Sequence, residues 1–226
     1  MSASKILLLI GAGPRVGDGV ARAFVEKGYK VALASRTQRN PDTAEQIHFD
    51  ADVSSAESVV DLFSRVKEKL GSPSVVVYNA ASLTFAKAND PLSIPLAAFA
   101  RDLTINTTSV YAAAHEAVKV FEELPEEASK TFIFTGNSLN EKISPPFIDL
   151  GMGKTATAYA IKAASTVYQE KGYKFYYADE RKSDGSSAGQ ELHGDAHGKL
   201  YVELSEGKTQ GPWQQTFVPG KGYQKF

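Results

Sequence analysis

The sequence predicts an α/β protein, in which helices cover both faces of a mainly parallel sheet. Short apolar segments of strand length alternate with segments of helical periodicity along most of the chain. Several strand segments are apolar throughout, as in Ile6–Ile10, which is typical of strands buried on both faces. The chain has 226 residues and no stretch of linker composition. We therefore expect one domain over residues 1–226.

The predicted elements form a doubly wound, three-layer arrangement around a seven-stranded sheet. Helices are expected at residues 19–28, 57–71, 96–124 and 153–171, and a short helix in GKLYVELSEG. The third helix has β-branched residues at 104–108, where we expect a break. The polar, Gly/Ser-rich residues 181–198 predict an exposed loop. The seven predicted strands lie in KILLLI, KVALASR, HFDADV, SVVVYNAA, KTFIFTG, YKFYYADE and QQTFVPGKGY.

Composition excludes several classes of function. The chain has 25 basic and 26 acidic residues and a formal net charge of -1, so we expect no nucleic-acid or anionic-membrane partner. No apolar run approaches the roughly 20 residues of a membrane span, and the N-terminus lacks a signal-peptide pattern. There is no cysteine, which excludes thiolate chemistry and disulfides. A cytoplasmic protein is the expectation.

A glycine-rich turn joins the first predicted strand to the first helix. GAGPRVGDG contains Gly11, Gly13, Gly17 and Gly19. Glycine allows positive φ and a close approach of the backbone to a pyrophosphate, and the N–H groups of a helix N-terminus bind that anion. In this strand–turn–helix context the pattern predicts a Rossmann-type dinucleotide site.

The end of the second strand bears on the choice between NAD and NADP. An Asp or Glu there usually binds the free ribose 2′-hydroxyl, whereas an arginine accommodates a 2′-phosphate. Here the acid is absent, and Ser35 and Arg36 occupy the place, with Arg15 in the glycine turn in a position to help. This favours NADP(H). A solvated surface arginine is the alternative for Arg36.

The chain resembles the short-chain dehydrogenase/reductase family over about residues 5–178. The resemblance rests on the Gly13-x-x-x-Gly17-x-Gly19 turn, with Val16 inside it, on Asp52-Val53 after the third strand, on YNAA at residues 78–81 and on Asn106 in LTINTTSVY. It implies that Asp52 and Val53 contact the adenine and that Asn79, Ala80 and Ala81 line the cofactor site. It also implies that Asn106 belongs to the catalytic tetrad.

The family's reaction uses a serine and a Tyr-x-x-x-Lys pair, and the pair is altered here. In the family the phenol exchanges a proton with the substrate, and the lysine lowers the phenol's pKa and holds the nicotinamide ribose. No lysine in this chain has a tyrosine four residues before it. Counted from the fifth strand, Lys154 matches the family's lysine and Leu150 takes the tyrosine's place. Asn137 takes the serine's place, with Ser138 as the neighbouring alternative.

Lys154 also stands in a Gly-Lys-Thr sequence, but a P-loop is excluded. A P-loop needs a glycine five residues before its Gly-Lys, and position 148 is isoleucine.

Because leucine takes the tyrosine's place, the proton donor is open among Tyr159, Asp149, a water held by Lys154 and the substrate. We expect an NADP(H)-dependent oxidoreductase with a small-molecule substrate. A non-catalytic dinucleotide-binding protein and a non-redox enzyme on this scaffold are the alternatives.

Two further features concern metals and partners. HGDAHG brings His193, Asp195 and His197 together, and we interpret these residues as exposed polar positions in a loop, with no metal. The apolar faces of the helices near 96–121 and 153–171 exceed what one sheet face needs. In the family, the corresponding helices form dimer interfaces, so a homodimer or homotetramer is expected.

Overall fold

Eight strands form one sheet in the computed structural model, which describes residues 5–226. The strand order is β3-β2-β1-β4-β5-β6-β7-β8, so the direction of winding reverses between β1 and β4. The strands are β1 Ile6–Ile10, β2 Lys30–Ser35, β3 Gln46–Asp50, β4 Val75–Tyr78, β5 Thr131–Thr135, β6 Lys174–Glu180, β7 Gln214–Val218 and β8 Gly222–Tyr223.

The prediction of a doubly wound, mainly parallel sheet is confirmed, but the count of seven strands is wrong. Every neighbouring pair from β3 to β7 is parallel, and β8 pairs antiparallel with β7. A turn at residues 219–221, closed by the Lys221 N–H donating to the Val218 carbonyl at 3.0 Å, brings the chain back. The eighth strand has two residues, too few to produce a period-2 pattern in the sequence.

Six α-helices flank the sheet within residues 5–226. None of them is both long enough and apolar enough to cross a membrane. The predicted break in the third helix is confirmed, because a π-helical turn at Thr104–Thr108 separates α3 from α4. The helices are α1 Val16–Glu26, α2 Ala56–Leu70, α3 Leu96–Leu103, α4 Ser109–Glu122, α5 Ile148–Tyr168 and α6 Gly194–Glu206.

The core consists of two apolar clusters, one on each face of the sheet. Alternating side chains of β1 supply both, since Leu8 and Ile10 pack with α2, α4 and α5 whereas Leu7 and Leu9 pack with α1 and α6. Burial of β1 on both faces accounts for its continuously apolar sequence. The predicted three layers are confirmed.

Two boundaries differ from the predictions. Helix α5 begins at Ile148, five residues before the predicted start at 153, with Gly151 and Gly153 inside it. Residues 181–198 are not an exposed loop throughout: Arg181 is 2% exposed, and α6 begins at Gly194. Two of its polar residues, Arg181 and His197, are buried and pair with the β6 carboxylates of Asp179 and Glu180, a situation that composition does not distinguish from solvation.

Candidate active site

The glycine turn lies at the carboxyl ends of β1 and β4, where the winding reverses. Gly11 has φ of +92°, and a Cβ there would come within 2.7 Å of the Ala80 Cα. A Cβ at Gly17 would come within 2.9 Å of the Ala12 carbonyl carbon. Both positions therefore require glycine. At Gly13 the nearest atom would be 4.0 Å away, so its Cα borders open space. The backbone thus forms a cradle that a side chain at Gly13 would fill.

Gly19 has a different task from the other three glycines. A Cβ at Gly19 would overlap the backbone of Gly194, and a Cβ at Gly198 would come within 2.8 Å of the Ala23 Cβ. These glycines let α1 and α6 pack backbone to backbone. The last glycine of the motif therefore serves the packing of α6 against α1.

The N-terminus of α1 points into this cradle. Its first helical hydrogen bonds are the Asp18 N–H to the Gly13 carbonyl at 3.0 Å and the Gly19 N–H to the Arg15 carbonyl at 3.2 Å. The N–H groups of Val16 and Gly17 precede them and have no acceptor within the helix. Arg15, the N-cap, makes no side-chain cap. The helix end can bind an anion such as a pyrophosphate, so the residues present fit a dinucleotide.

An open cleft of about 600 Å³ runs from the cradle along the ends of β2, β3 and β4. It brings together most of the cofactor residues that the sequence predicted. The Asn79 side chain donates to the Gly11 carbonyl at 2.8 Å and ties β4 to the turn. The predicted residues that line the cleft are Gly11, Gly13, Ser35, Arg36, Asp52, Val53, Asn79, Ala80 and Ala81.

The outer end of the cleft carries Ser35, Arg36 and Asp52. The Ser35 hydroxyl donates to the Thr37 carbonyl at 2.9 Å, and Arg36 is exposed. Hydrogen bonds from Ser54 hold the pKa of Asp52 below its usual value, and the nearby Arg36 charge adds to that effect. Arg36 can therefore contact a ligand at the rim of the cleft. Its positive charge lies near the carboxylate of Asp52.

Arg15 is not among the residues that line this cleft. Its guanidinium donates to the Gln190 carbonyl at 2.7 Å, in the segment after β6. The expectation that Arg15 assists at the ribose end stays a prediction. Arg101 of α3 lines the same cleft instead, bonded to Asp102 at 2.9 Å, and no motif marked it.

A second cavity of about 520 Å³ adjoins the cleft over the ends of β5 and β6. Asn79 and Ala81 line both spaces, so the two lie next to each other. Residues 187–190, from the segment after β6, form the opposite wall. The side chains that matter chemically in its wall are Asn137, Ser138, Leu150, Lys154 and Glu180.

Lys154 is 3% exposed at the cavity wall. Its Nζ donates to the Thr135 carbonyl at 2.7 Å and lies 4.2 Å from the centre of the Phe134 ring. Burial lowers the pKa of Lys154 to about 7, and the negative charge of Asp179 partly opposes that shift. An amine with such a pKa exchanges protons near neutral pH.

Asn137 and Ser138 begin the short helical turn that follows β5. The Asn137 side-chain oxygen accepts from the Leu139 N–H at 3.0 Å, and its backbone carbonyl accepts from the Tyr177 hydroxyl at 2.7 Å. Ser138 is 3% exposed, in the cavity wall. Both residues can therefore offer polar atoms to a molecule in the cavity.

Asn106 supports the site from behind. It is fully buried in the π-helical turn, where its side chain exchanges two hydrogen bonds with the backbone of Ser82, at 3.1 and 2.7 Å. The backbone carbonyl of Asn106 accepts a hydrogen bond from the Thr157 hydroxyl at 2.7 Å. A Cβ at Gly153 would come within 2.6 Å of the Asn106 Cβ, which explains the glycine before Lys154. Asn106 positions the cavity wall and α5.

The two side chains predicted as alternatives to the family's phenol do not border the cavity. Tyr159 is 79% exposed on the outer side of α5. Asp149 is fully buried and accepts from the Thr84 and Leu150 N–H groups at 2.7 Å each. Burial and the neighbouring Asp102 carboxylate raise the pKa of Asp149. Leu150 itself lines the cavity.

The segment after β6 is held by buried charges. Arg181 bonds Asp179 at 2.5 Å and Glu141 at 3.3 Å. Glu180 accepts from the His193 backbone N–H at 2.9 Å and bonds the His193 and His197 rings at 2.6 and 3.2 Å. His197 is fully buried, so the expectation of exposed positions is wrong there. No metal-binding group of three or more His, Cys, Asp or Glu occurs within residues 5–226.

Cradle, helix end and cleft together define a dinucleotide-binding α/β protein, and comparison with known proteins agrees. A family profile described as enoyl-(acyl carrier protein) reductase matches residues 11–176. Short chain dehydrogenase/reductase dmxR12 of Cryptosporiopsis sp. (strain 8999) is 47% identical over 234 residues, covering 99% of this chain and 95% of that protein. The chain belongs to the short-chain dehydrogenase/reductase family, whose members are oxidoreductases that bind NAD(P).

Solved structures share the fold at low sequence identity. NADPH-dependent 3-quinuclidinone reductase from Rhodotorula rubra has a TM-score of 0.80 at 18% identity, covering 98% of this chain and 91% of that one. A 3-ketoacyl-(acyl-carrier-protein) reductase from Brucella melitensis, complexed with NADH, has a TM-score of 0.77 at 17% identity, covering 91% and 92%. Both support the Rossmann-like architecture.

Proposed function

We propose that this protein is an NADP(H)-dependent oxidoreductase that interconverts a carbonyl and an alcohol on a small molecule. The observation that carries the proposal is that the cofactor cleft and the second cavity share Asn79 and Ala81 in their walls. A dinucleotide whose pyrophosphate lies at Gly13 and the α1 N-terminus would extend its reactive ring into the cavity beside Lys154. That arrangement would hold cofactor and substrate close to each other.

The residues of the chain divide the work along this path. The α1 N-terminus and the cradle bind the pyrophosphate, and Arg36 with Ser35 binds the ribose 2′-phosphate. Asp52, Val53, Ala80 and Ala81 border the cofactor. Asn137 and Ser138 orient the substrate carbonyl, and Lys154 holds the inner ribose. The reduced nicotinamide supplies a hydride when bound.

The substrate cavity favours a largely apolar molecule with few polar groups. Leu83, Leu139, Phe147 and Leu192 contribute apolar surface to it. A volume of about 520 Å³ lies within the range of small-molecule sites. We therefore expect an apolar ketone or aldehyde, or the corresponding alcohol.

The first test is a titration of the purified protein with NADPH and NADH, followed by fluorescence of the reduced cofactor. Binding of NADPH in preference to NADH is expected. A turnover assay with NADPH and a panel of apolar aldehydes and ketones then tests catalysis. Absence of binding of both dinucleotides would contradict the proposal.

A second candidate function is a non-catalytic dinucleotide-binding protein, a sensor or a partner subunit. Leu150 favours it, because an apolar side chain stands in the cavity wall at the position that the resemblance gives to the phenol. NADPH binding with no oxidation of NADPH across the whole panel would support this candidate over the first.

We also propose a homodimer or homotetramer formed through α4 and α5. A shallow apolar groove of about 170 Å³ runs between these helices. Tyr111, Tyr159 and Val167 are exposed beside it, by 66%, 79% and 66%. A second copy would cover this surface. Analytical ultracentrifugation of the wild type and of Tyr159→Glu tests it, and dissociation of the variant is the expected result.

A further inference from the structure

Lys154 has donor capacity beyond the contacts that hold it. An ammonium group has three N–H donors. The Thr135 carbonyl accepts one at 2.7 Å, and the Phe134 ring face, 4.2 Å away, contacts the charge without a directional acceptor. Lys154 forms part of the cavity wall together with Leu150, Asn137 and Ser138. Donors therefore remain for a molecule in the cavity.

We propose that Lys154 is itself the proton donor and acceptor of the reaction. This inference rests on the proposed carbonyl–alcohol function and gives Lys154 a role beyond holding the ribose. During reduction the carbonyl carbon gains the hydride supplied by the reduced dinucleotide, and the C=O π electrons move to oxygen. The oxygen takes a proton from Lys154 Nζ, which becomes a neutral amine, and a water entering the cavity returns the proton. Oxidation reverses each step.

The burial of the amine makes this exchange feasible. An ordinary lysine, with a pKa near 10.4, holds its proton about three decades too tightly for efficient transfer at neutral pH. Burial lowers the pKa of Lys154 to about 7, so both protonation states are populated at neutral pH. The charged groups around it are Asp179, which is paired with Arg181, and the cavity residues Glu180 and Lys142.

The other ionisable groups of the cavity wall are either paired or exposed to water. Glu180 has both carboxylate oxygens occupied by nitrogen donors of His193 and His197. Lys142 donates to the Gly185 carbonyl at 3.0 Å and keeps two donors, but it is exposed, so water rather than the cavity wall surrounds its ammonium group. Asp149 and Tyr159 do not border the cavity. Lys154 is thus the buried ionisable group of the wall that has unoccupied donors.

The decisive variant is Lys154→Arg, which keeps the positive charge but cannot release a proton near neutral pH. In the wild type, kcat/KM for reduction should be constant below pH 7 and fall tenfold per pH unit above it, because reduction needs the ammonium. For oxidation, which needs the neutral amine, kcat/KM should rise tenfold per pH unit below pH 7 and be constant above it. Lys154→Arg should lower kcat/KM by about 10²–10⁴-fold and abolish both limbs between pH 6 and 9.

Lys162→Arg is the matched control, since Lys162 lies on the same helix and is exposed. It should leave the rate and the pH profile unchanged. If Lys154→Arg keeps the wild-type limbs, another group supplies the proton and the inference is overturned.

A second measurement does not depend on turnover. NMR shifts of the lysine Cε–Hε groups, followed from pH 5 to 11 in the cofactor-free protein, report the ionisation of each lysine, and the signal missing in Lys154→Arg identifies Lys154. A midpoint near pH 7 supports the inference, and a midpoint above pH 9 overturns it even if the enzyme is active. Failure to bind NADPH, by contrast, overturns the proposed function, and the midpoint of Lys154 is unaffected by that result.

Discussion

The two halves of the active-site cleft are built by different means. In the cofactor half, between β1, α1 and β4, the shape comes from backbone and from glycines such as Gly11 and Gly17 that admit no Cβ. In the substrate half, over β5 and β6, Lys154 stands in the wall and the pair Asp179–Arg181 holds the segment after β6, each of the three residues being 3% exposed or less. A backbone-built site leaves a spaced glycine motif in the sequence, whereas pairing between buried charges leaves no periodic signal.

Arg181→Met should show the largest effect on stability, in the substrate half. Removing the guanidinium leaves Asp179 fully buried without its 2.5 Å partner. Breaking a buried pair from one side costs about 3–5 kcal/mol. Urea unfolding at pH 7.5 measures the change in the free energy of unfolding.

The control for Arg181→Met is Arg22→Met. Arg22 pairs with Asp195 through side chains that are 58% and 84% exposed. The cost should stay within about 1 kcal/mol. If the two variants lose similar amounts of unfolding free energy, the buried Arg181–Asp179 pair contributes no more to stability than an exposed surface pair.

The cofactor half can be broken by a single methyl group. Gly11→Ala puts a Cβ within 2.7 Å of the Ala80 Cα at a positive φ, so we expect a loss of about 2–3 kcal/mol in the free energy of unfolding. Gly13→Ala has no atom closer than 4.0 Å and should fold like the wild type. Its methyl group enters the cradle, so NADPH should bind about tenfold more weakly. Thermal unfolding and NADPH titration separate the two outcomes, and a wild-type Tm for Gly11→Ala would count against the strained turn.

Arg36→Asp tests the electrostatics of the same half. A charge-assisted hydrogen bond to a 2′-phosphate is worth about 1.5–3 kcal/mol, so the preference for NADPH over NADH should fall about 10–100-fold. The comparison is Arg15→Ala. In the wild type the Arg15 guanidinium donates to the Gln190 carbonyl, so its removal should leave the preference for NADPH over NADH unchanged. Equal NADPH/NADH ratios in the wild type and in Arg36→Asp would show that Arg36 is a solvated surface residue.

Leu150→Tyr tests the substrate half with the smallest expected change. A phenol at the cavity wall, four residues before Lys154, adds a second acid on the same helix face. We expect carbonyl reduction to rise about tenfold, within the range of general acid catalysis. Leu150→Phe, which adds the ring without the hydroxyl, should give no gain. No difference between the Tyr and Phe variants would mean that position 150 does not face the reacting oxygen.

Much of the architecture could be predicted because it depends on local patterns. Apolar strands of β1 type, the helical periodicity of α2 and the glycine turn each follow from short-range geometry. The sequence did not predict the two-residue β8 or the start of α5 at Ile148, because neither has the length or composition that marks a boundary. The sequence also did not single out three residues that line the site, because their positions depend on segments distant in the chain. These residues are Arg101, Gln190 and Glu180.

By itself, the sequence determined the doubly wound sheet, the place of the glycine-rich cradle and the presence of a leucine four residues before Lys154. Only the tertiary structure decided that Arg15 turns to Gln190, that Arg181 and His197 are buried, and that Lys154 is enclosed deeply enough for its pKa to fall. The physical reason is that desolvation depends on every element packed around a charge, whereas strand pattern and glycine spacing depend on neighbours along the chain.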